Sequence, residues 1–140
     1  LNELFELNLT NNQLEKYALK LGADCPFFIE NTPKYVTGIG EKMTAIDLDL
    51  STYEIQLINP KIHVSTKKAY SRIVPITPEL TVEEIIKLPI KEWKNKLKNV
   101  FEKSVFEKHP QLKELKENLY KDGAIYASMS GSGSVLFGVF

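Results

Sequence analysis

The sequence has 140 residues, with 18 Lys+Arg against 18 Asp+Glu and two His, so its formal net charge is zero. Its 43% hydrophobic and 26% charged residues match globular averages and exclude wholesale disorder; a neutral chain with Arg72 as its sole arginine also lacks the field and the bidentate clamps of a polybasic binder, so neither nucleic acid nor a membrane surface is an expected partner. A lone Cys25 excludes an intrachain disulfide framework and favours a reducing, cytoplasmic setting, and no apolar run approaches the ~20 residues of a membrane span.

The length fits one domain, 1–140. Leu1-Asn2-Glu3-Leu4-Phe5 opens on a helical period with no Met or cap before it, and Val135 to Phe140 closes the chain on an apolar strand. Both ends read as cuts, so a piece of a longer protein is expected. Thr10 with Gln13 has the form of a capping box. Leu14, Tyr17, Ala18 and Leu21 follow on one stripe, predicting a helix over 12–21 that Gly22 ends. Pro26 is expected to bar a helix from the next segment, leaving Phe27-Phe28-Ile29 as a short buried strand. Strands at 35–37 and 43–47 flank Gly38-Ile39-Gly40-Glu41 as a hairpin, and 54–58 is a further strand closed by Asn59-Pro60.

Thr66 is placed to cap a short helix through Tyr70 and Ile73. Residues 74–80, with Pro75 and Pro78, read as a loop, and Thr81 with Glu84 is a second capping box opening a helix over 82–88. Apolar spacing predicts a long helix over 92–106 and another over 111–120 that Gly123 ends. Strands at 124–129 and 135–140 enclose a Ser-Gly-Ser-Gly-Ser loop. Antiparallel pairs with helices in blocks make the fold class α+β, an antiparallel sheet with helices packed on it.

Three segments could carry chemistry. Asp24, pinned between Gly22 and Pro26, reads either as a turn residue bonding its own backbone or as a carboxylate held to orient or deprotonate a hydroxyl. Gly131, Ser132 and Gly133 read either as a plain hairpin loop or as a cradle whose N–H groups approach a phosphate; no Gly-Lys-Ser/Thr follows, so this is not a Walker loop. Asn59 to Thr66 joins a strand to a helix start, where hydroxyls cap or meet a ligand. His63 and His109 lack metal-ligand spacing, which argues against a zinc site, and Cys25 has no base beside it, which leaves it a packing residue.

Taken in order, Leu-Gly-Ala-Asp-Cys-Pro-Phe-Phe (21–28), Thr-Gly-Ile-Gly-Glu (37–41), Asn-Pro with Val-Ser-Thr and Ala-Tyr (59–70) and Ser-Gly-Ser-Gly-Ser-Val-Leu-Phe (130–137) resemble the 4-diphosphocytidyl-2-C-methyl-D-erythritol kinases. These form an isoprenoid-pathway branch of the galactokinase, homoserine kinase, mevalonate kinase and phosphomevalonate kinase (GHMP) superfamily. The resemblance covers nearly the whole chain and implies the ferredoxin-like C-terminal domain of those kinases. It implies that Asp24 is the catalytic aspartate, that Thr66 and Tyr70 contact a cytidine-diphosphate substrate, and that Gly131, Ser132 and Gly133 lie beside the nucleotide phosphates. ATP with Mg²⁺ is then the expected co-substrate, and no metal ligand is assigned in this chain. The family's ATP loop, of the form Pro-x-x-x-Gly-Leu-Gly-Gly-Gly-Ser, does not occur in the sequence, so the chain alone is expected to be inactive. Its strand edges make self-association an expectation. The competing reading is a non-catalytic small-molecule binding or interaction module on the same scaffold.

Overall fold

The computed structural model describes residues 1–38, 40–71, 73 and 78–140. Ile39 of the expected turn, Arg72, and residues 74–77 of the expected proline loop lie outside the described residues. The chain divides into two compact units, Leu1–Leu48 and Asp49–Phe140.

The first unit carries α1 (Asn11–Leu19), α2 (Phe27–Glu30) and the antiparallel pair β1 (Lys34–Thr37) and β2 (Lys42–Ala45). The N–H and the hydroxyl of Thr10 both donate to Gln13 Oε1, at 2.9 and 3.0 Å, and start α1 where the capping pattern places it. The helix stops at Leu19, short of the expected 21. The Leu21 N–H turns back to the Ala18 carbonyl at 2.9 Å, and Gly22 does not take the left-handed conformation of a C′ glycine. The expected strand at 27–29 is a single helical turn, α2. Pro26 itself is helical, with φ −59° and ψ −30°, because proline suits the first turn of a helix and disfavours only the residue before it. Asn31, with φ 52° and ψ 42°, ends that turn in the left-handed region, and Phe28 is exposed rather than buried.

The second unit carries β3 (Ile55–Ile58), α3 (Thr66–Tyr70), α4 (Val82–Ile85), a 3₁₀ turn at Ile90–Glu92, α5 (Trp93–Lys96), α6 (Phe101–Lys108), α7 (Pro110–Lys121), β4 (Tyr126–Met129) and β5 (Leu136–Val139). The sheet order is β3-β5-β4 and both pairings are antiparallel, with Ile58 and Met129 each opposite Leu136. This is the α+β arrangement expected. Pro110 opens α7, where its missing N–H costs nothing. Leu112 and Leu119, seven residues apart on one face, are fully buried with Ala127, Met129 and Leu136 of the sheet. Each such leucine contributes about 1.5–3 kcal/mol by leaving water. Gly123 (φ 104°) ends α7 as expected, with Ala124 N–H on Leu119 O at 2.9 Å and Gly123 N–H on Tyr120 O at 3.2 Å.

The single helix expected over 92–106 is two. Leu97 is extended at the end of α5, and its carbonyl accepts the Tyr126 hydroxyl at 3.0 Å. Asn99 Oδ1 then accepts the Phe101 N–H at 2.9 Å and caps a new start, α6. A tertiary partner for one carbonyl and a side-chain cap two residues later together outweigh the continuous apolar period. The helix expected over 82–88 likewise closes early, at Ile85.

Candidate functional site

The loop between β4 and β5 is fastened from four directions. Within it, Gly133 N–H donates to Ser130 O at 3.0 Å and Ser130 N–H to Val135 O at 2.8 Å. Gly131 and Gly133 take φ of 52° and 95°, in the left-handed region that glycine enters at little cost and that anion-binding backbone turns use. Among the described residues, the N–H groups of Gly131 and Ser132 meet no acceptor.

Outside the loop, the Ser134 hydroxyl donates to the Ile62 carbonyl, and Ser132 Oγ lies 3.1 Å from Thr66 Oγ1. The Asn99 carboxamide donates to Met129 O at 2.7 Å and to Gly131 O at 2.8 Å. Glu102 Oε1 accepts the Met129 N–H at 2.9 Å and the Ser128 hydroxyl at 3.3 Å, while its Oε2 pairs with Lys116 Nζ at 2.6 Å. A carboxylate bonded on both oxygens and mostly buried is fixed in place.

Thr66 is free to reach the loop because it is not the cap of α3. Ser65 takes that place, its Oγ accepting the Lys68 N–H at 3.5 Å, which corrects the expectation that Thr66 caps. One turn along α3, Tyr70 stacks edge-on against Phe101, ring centroids 4.9 Å apart, and still exposes 62% of its surface. The structure therefore joins Thr66 to Ser132 and sets Tyr70 on the same helix.

Asp24 belongs to the first unit. It is exposed in the turn between Gly22 and α2, and its carboxylate accepts no hydrogen bond from a described residue, so the turn-residue reading through its own backbone is not what the geometry displays. The hairpin turn lies against it: at Gly40 (φ 110°) a Cβ would come within 3.3 Å of Asp24 Oδ1 and 3.2 Å of Ala23 Cβ. The Gly-Ala-Asp and Gly-Ile-Gly-Glu motifs thus meet, and glycine is required where they do.

Asn99, Glu102 and Ser134 had no place among the expected site residues. The signal for the first two was present: an Asn followed three residues later by Glu has the form of a helix start. A concavity of about 340 Å³ lies on another face of α3, with Ser65, Lys68, Ser104 and Lys108 among its lining and both His63 and His109 at it. Among the described residues no group of three His, Cys, Asp or Glu gathers to hold a metal.

Comparison with known proteins adds three findings. The GHMP kinases C terminal family model matches residues 81–140. Over its whole length the chain is 51% identical to 4-diphosphocytidyl-2-C-methyl-D-erythritol kinases of Bacteroides fragilis and Bacteroides thetaiotaomicron, and over 99% of it 44% identical to that of Porphyromonas gingivalis, covering 51% of each. A crystal structure of 4-(cytidine 5′-diphospho)-2C-methyl-D-erythritol kinase superposes on 99% of the chain with a TM-score of 0.82 at 29% identity, and the chain covers 51% of it. The chain spans about half the length of the known relatives it matches.

Proposed function

We propose that the chain, whose residues 81–140 match the GHMP kinases C terminal family model, is the substrate-side part of a kinase transferring the γ-phosphoryl group of ATP to a hydroxyl of 4-diphosphocytidyl-2-C-methyl-D-erythritol. The observation that carries this reading is the loop between β4 and β5, with two unpaired N–H groups and a Ser132 hydroxyl tied to Thr66. Phosphoryl transfer asks chiefly for positioning and for fixed donors aimed at developing charge, and such a loop supplies donors that need no reorganisation. In this reading Gly131, Ser132 and Gly133 lie beside the nucleotide phosphates. Thr66 and Tyr70 contact the cytidine-diphosphate portion of the acceptor, with the exposed Tyr70 ring offering a stacking face. Asp24, unencumbered by hydrogen bonds, accepts or orients the proton of the attacking hydroxyl.

Mg²⁺ accompanies the nucleotide in this family. The described residues gather no metal-ligand group, so no step is assigned to the ion here. No helix among them is long and apolar enough to cross a membrane, and the proposed setting is cytoplasmic.

The test is coupled ADP release by the whole kinase with ATP, Mg²⁺ and the cytidine compound, with Asp24→Asn and the 140-residue chain alongside. Asp24→Asn is expected to lower turnover by about 10² to 10⁴-fold with little change in substrate affinity, and the chain alone to be inactive. A fully active Asn variant would move the catalytic carboxylate elsewhere. Binding of the cytidine compound without any ADP release would replace the kinase with a binding module.

A further inference from the structure

We infer that Asn99 is a positioning residue for the phosphate-facing loop, acting through the Gly131–Ser132 peptide; the inference rests on the kinase reading above. Its carboxamide nitrogen has two protons, and both are used, one on Met129 O at 2.7 Å and one on Gly131 O at 2.8 Å. A trans peptide points its carbonyl and its N–H in opposite directions. Drawing the Gly131 carbonyl onto Asn99 therefore turns the Ser132 N–H away from Asn99, where no described residue accepts it. The group aimed at the phosphate is aimed by a side chain that never touches it.

Glu102 completes the hold. Its Oε1 takes the Met129 N–H at 2.9 Å, so both backbone polar groups of Met129 are bound by the stretch that begins α6. The root of the loop cannot rotate without breaking both bonds. Asn99 Oδ1 meanwhile accepts the Phe101 N–H at 2.9 Å, so one carboxamide joins the start of a helix to a loop 30 residues later. These two duties are separable. Aspartate at 99 keeps the cap but loses both donors and sets a carboxylate against two carbonyl oxygens. Serine keeps a cap acceptor without the charge.

The experiment compares wild type, Asn99→Asp and Asn99→Ser in the whole kinase. The expected result is a fall of about 10- to 100-fold in kcat/KM for ATP, the scale of misplacing a positioned group, with KM for the alcohol substrate and the helical circular dichroism signal unchanged. ATP kinetics equal to wild type in both variants overturn the inference, as does a loss falling equally on both substrates. If wild type releases no ADP, the kinase reading fails separately, and the positioning role is then judged on the same whole protein by amide resonances under inorganic pyrophosphate. There the Ser132 amide is expected to shift in wild type and to stay still in Asn99→Asp. No response in wild type, or the same response in both, overturns it.

Discussion

Gly131 and Gly133 stand two residues apart in one loop and answer to different constraints. Both have positive φ, 52° and 95°. A Cβ at Gly131 would meet nothing within 4 Å, whereas one at Gly133 would sit 2.8 Å from Met129 Sδ, against a core side chain. Gly131→Ala should therefore cost about 1 kcal/mol, the local left-handed penalty. Gly133→Ala adds a clash and should cost about 2–3 kcal/mol. Urea melts of the two variants check this, and equal losses would mean that Met129 yields freely. The glycines themselves were legible in the sequence, but not that Ser132 between them meets Thr66 Oγ1. The Asn99–Glu102 spacing carried the signal of a helix start, but the loop partners of the Asn99 carboxamide are 30 and 32 residues away, beyond anything a local pattern encodes. Tyr126 is similar: burial pushes its phenol up to about 12, yet only the fold reveals that its hydroxyl ends α5.

At the scale of elements, capping chemistry was the most readable feature. Thr81 and Glu84 form the complete box, Glu84 N–H on Thr81 Oγ1 at 3.2 Å and Thr81 N–H on Glu84 Oε2 at 2.7 Å. Those bonds to the Thr81 backbone and hydroxyl hold the Glu84 carboxyl below its ordinary value of 4.5. A depressed carboxylate contributes stability that is present above the unfolded value and is lost as pH falls through the folded one. Wild type should thus melt at a higher temperature than Glu84→Gln near neutral pH, and the two should converge in acid as pH falls through the depressed folded value. A gap that persists unchanged into acid would show that the carboxylate's charge is irrelevant to the cap. The misread elements share a cause. At α2 the proline sits at a helix start and so does not act as the expected barrier, and the helix expected over 92–106 divides because Tyr126 and Asn99 intervene from the tertiary structure. Period and propensity describe a segment alone; both corrections come from what touches it.

Across the whole molecule, burial is uneven. Residues 49–140 hold the clustered core around Leu112, Leu119 and Leu136, while in Leu1–Leu48 Ala18 is the only hydrophobic residue counted as buried among those described. Leu1, Leu4, Leu21 and Phe28 are 71–87% exposed. A segment of that size with so little interior cannot offset its own ordering entropy. Hydrogen exchange on the 140-residue chain should find amides of 1–48 unprotected and those of Leu119, Met129 and Leu136 slowest. The same exposed apolar surface should drive self-association, read as a mass that rises with concentration in light scattering. Uniform protection along the chain, with a monodisperse monomer, would contradict both. The α+β class was legible because strand pairs and helix blocks are properties of pattern. The unequal interior was not, because exposure depends on what surrounds a residue and the composition of the two units is alike.

Of the three described strands in the second unit's sheet, the one latest in sequence occupies the middle. β5 lies between β3 and β4, so during synthesis β3 waits without a partner while the chain from Asn59 to Val135 is still being made. At about 5–20 residues per second that interval is roughly 4–15 s. Throughout it Ile55 and Leu57, on a strand with both edges unpaired, are available to any other nascent edge. Ribosome pausing between α6 and β4 would lengthen that window, and a holdase that shields residues 55–58 would be of use for as long as it lasts.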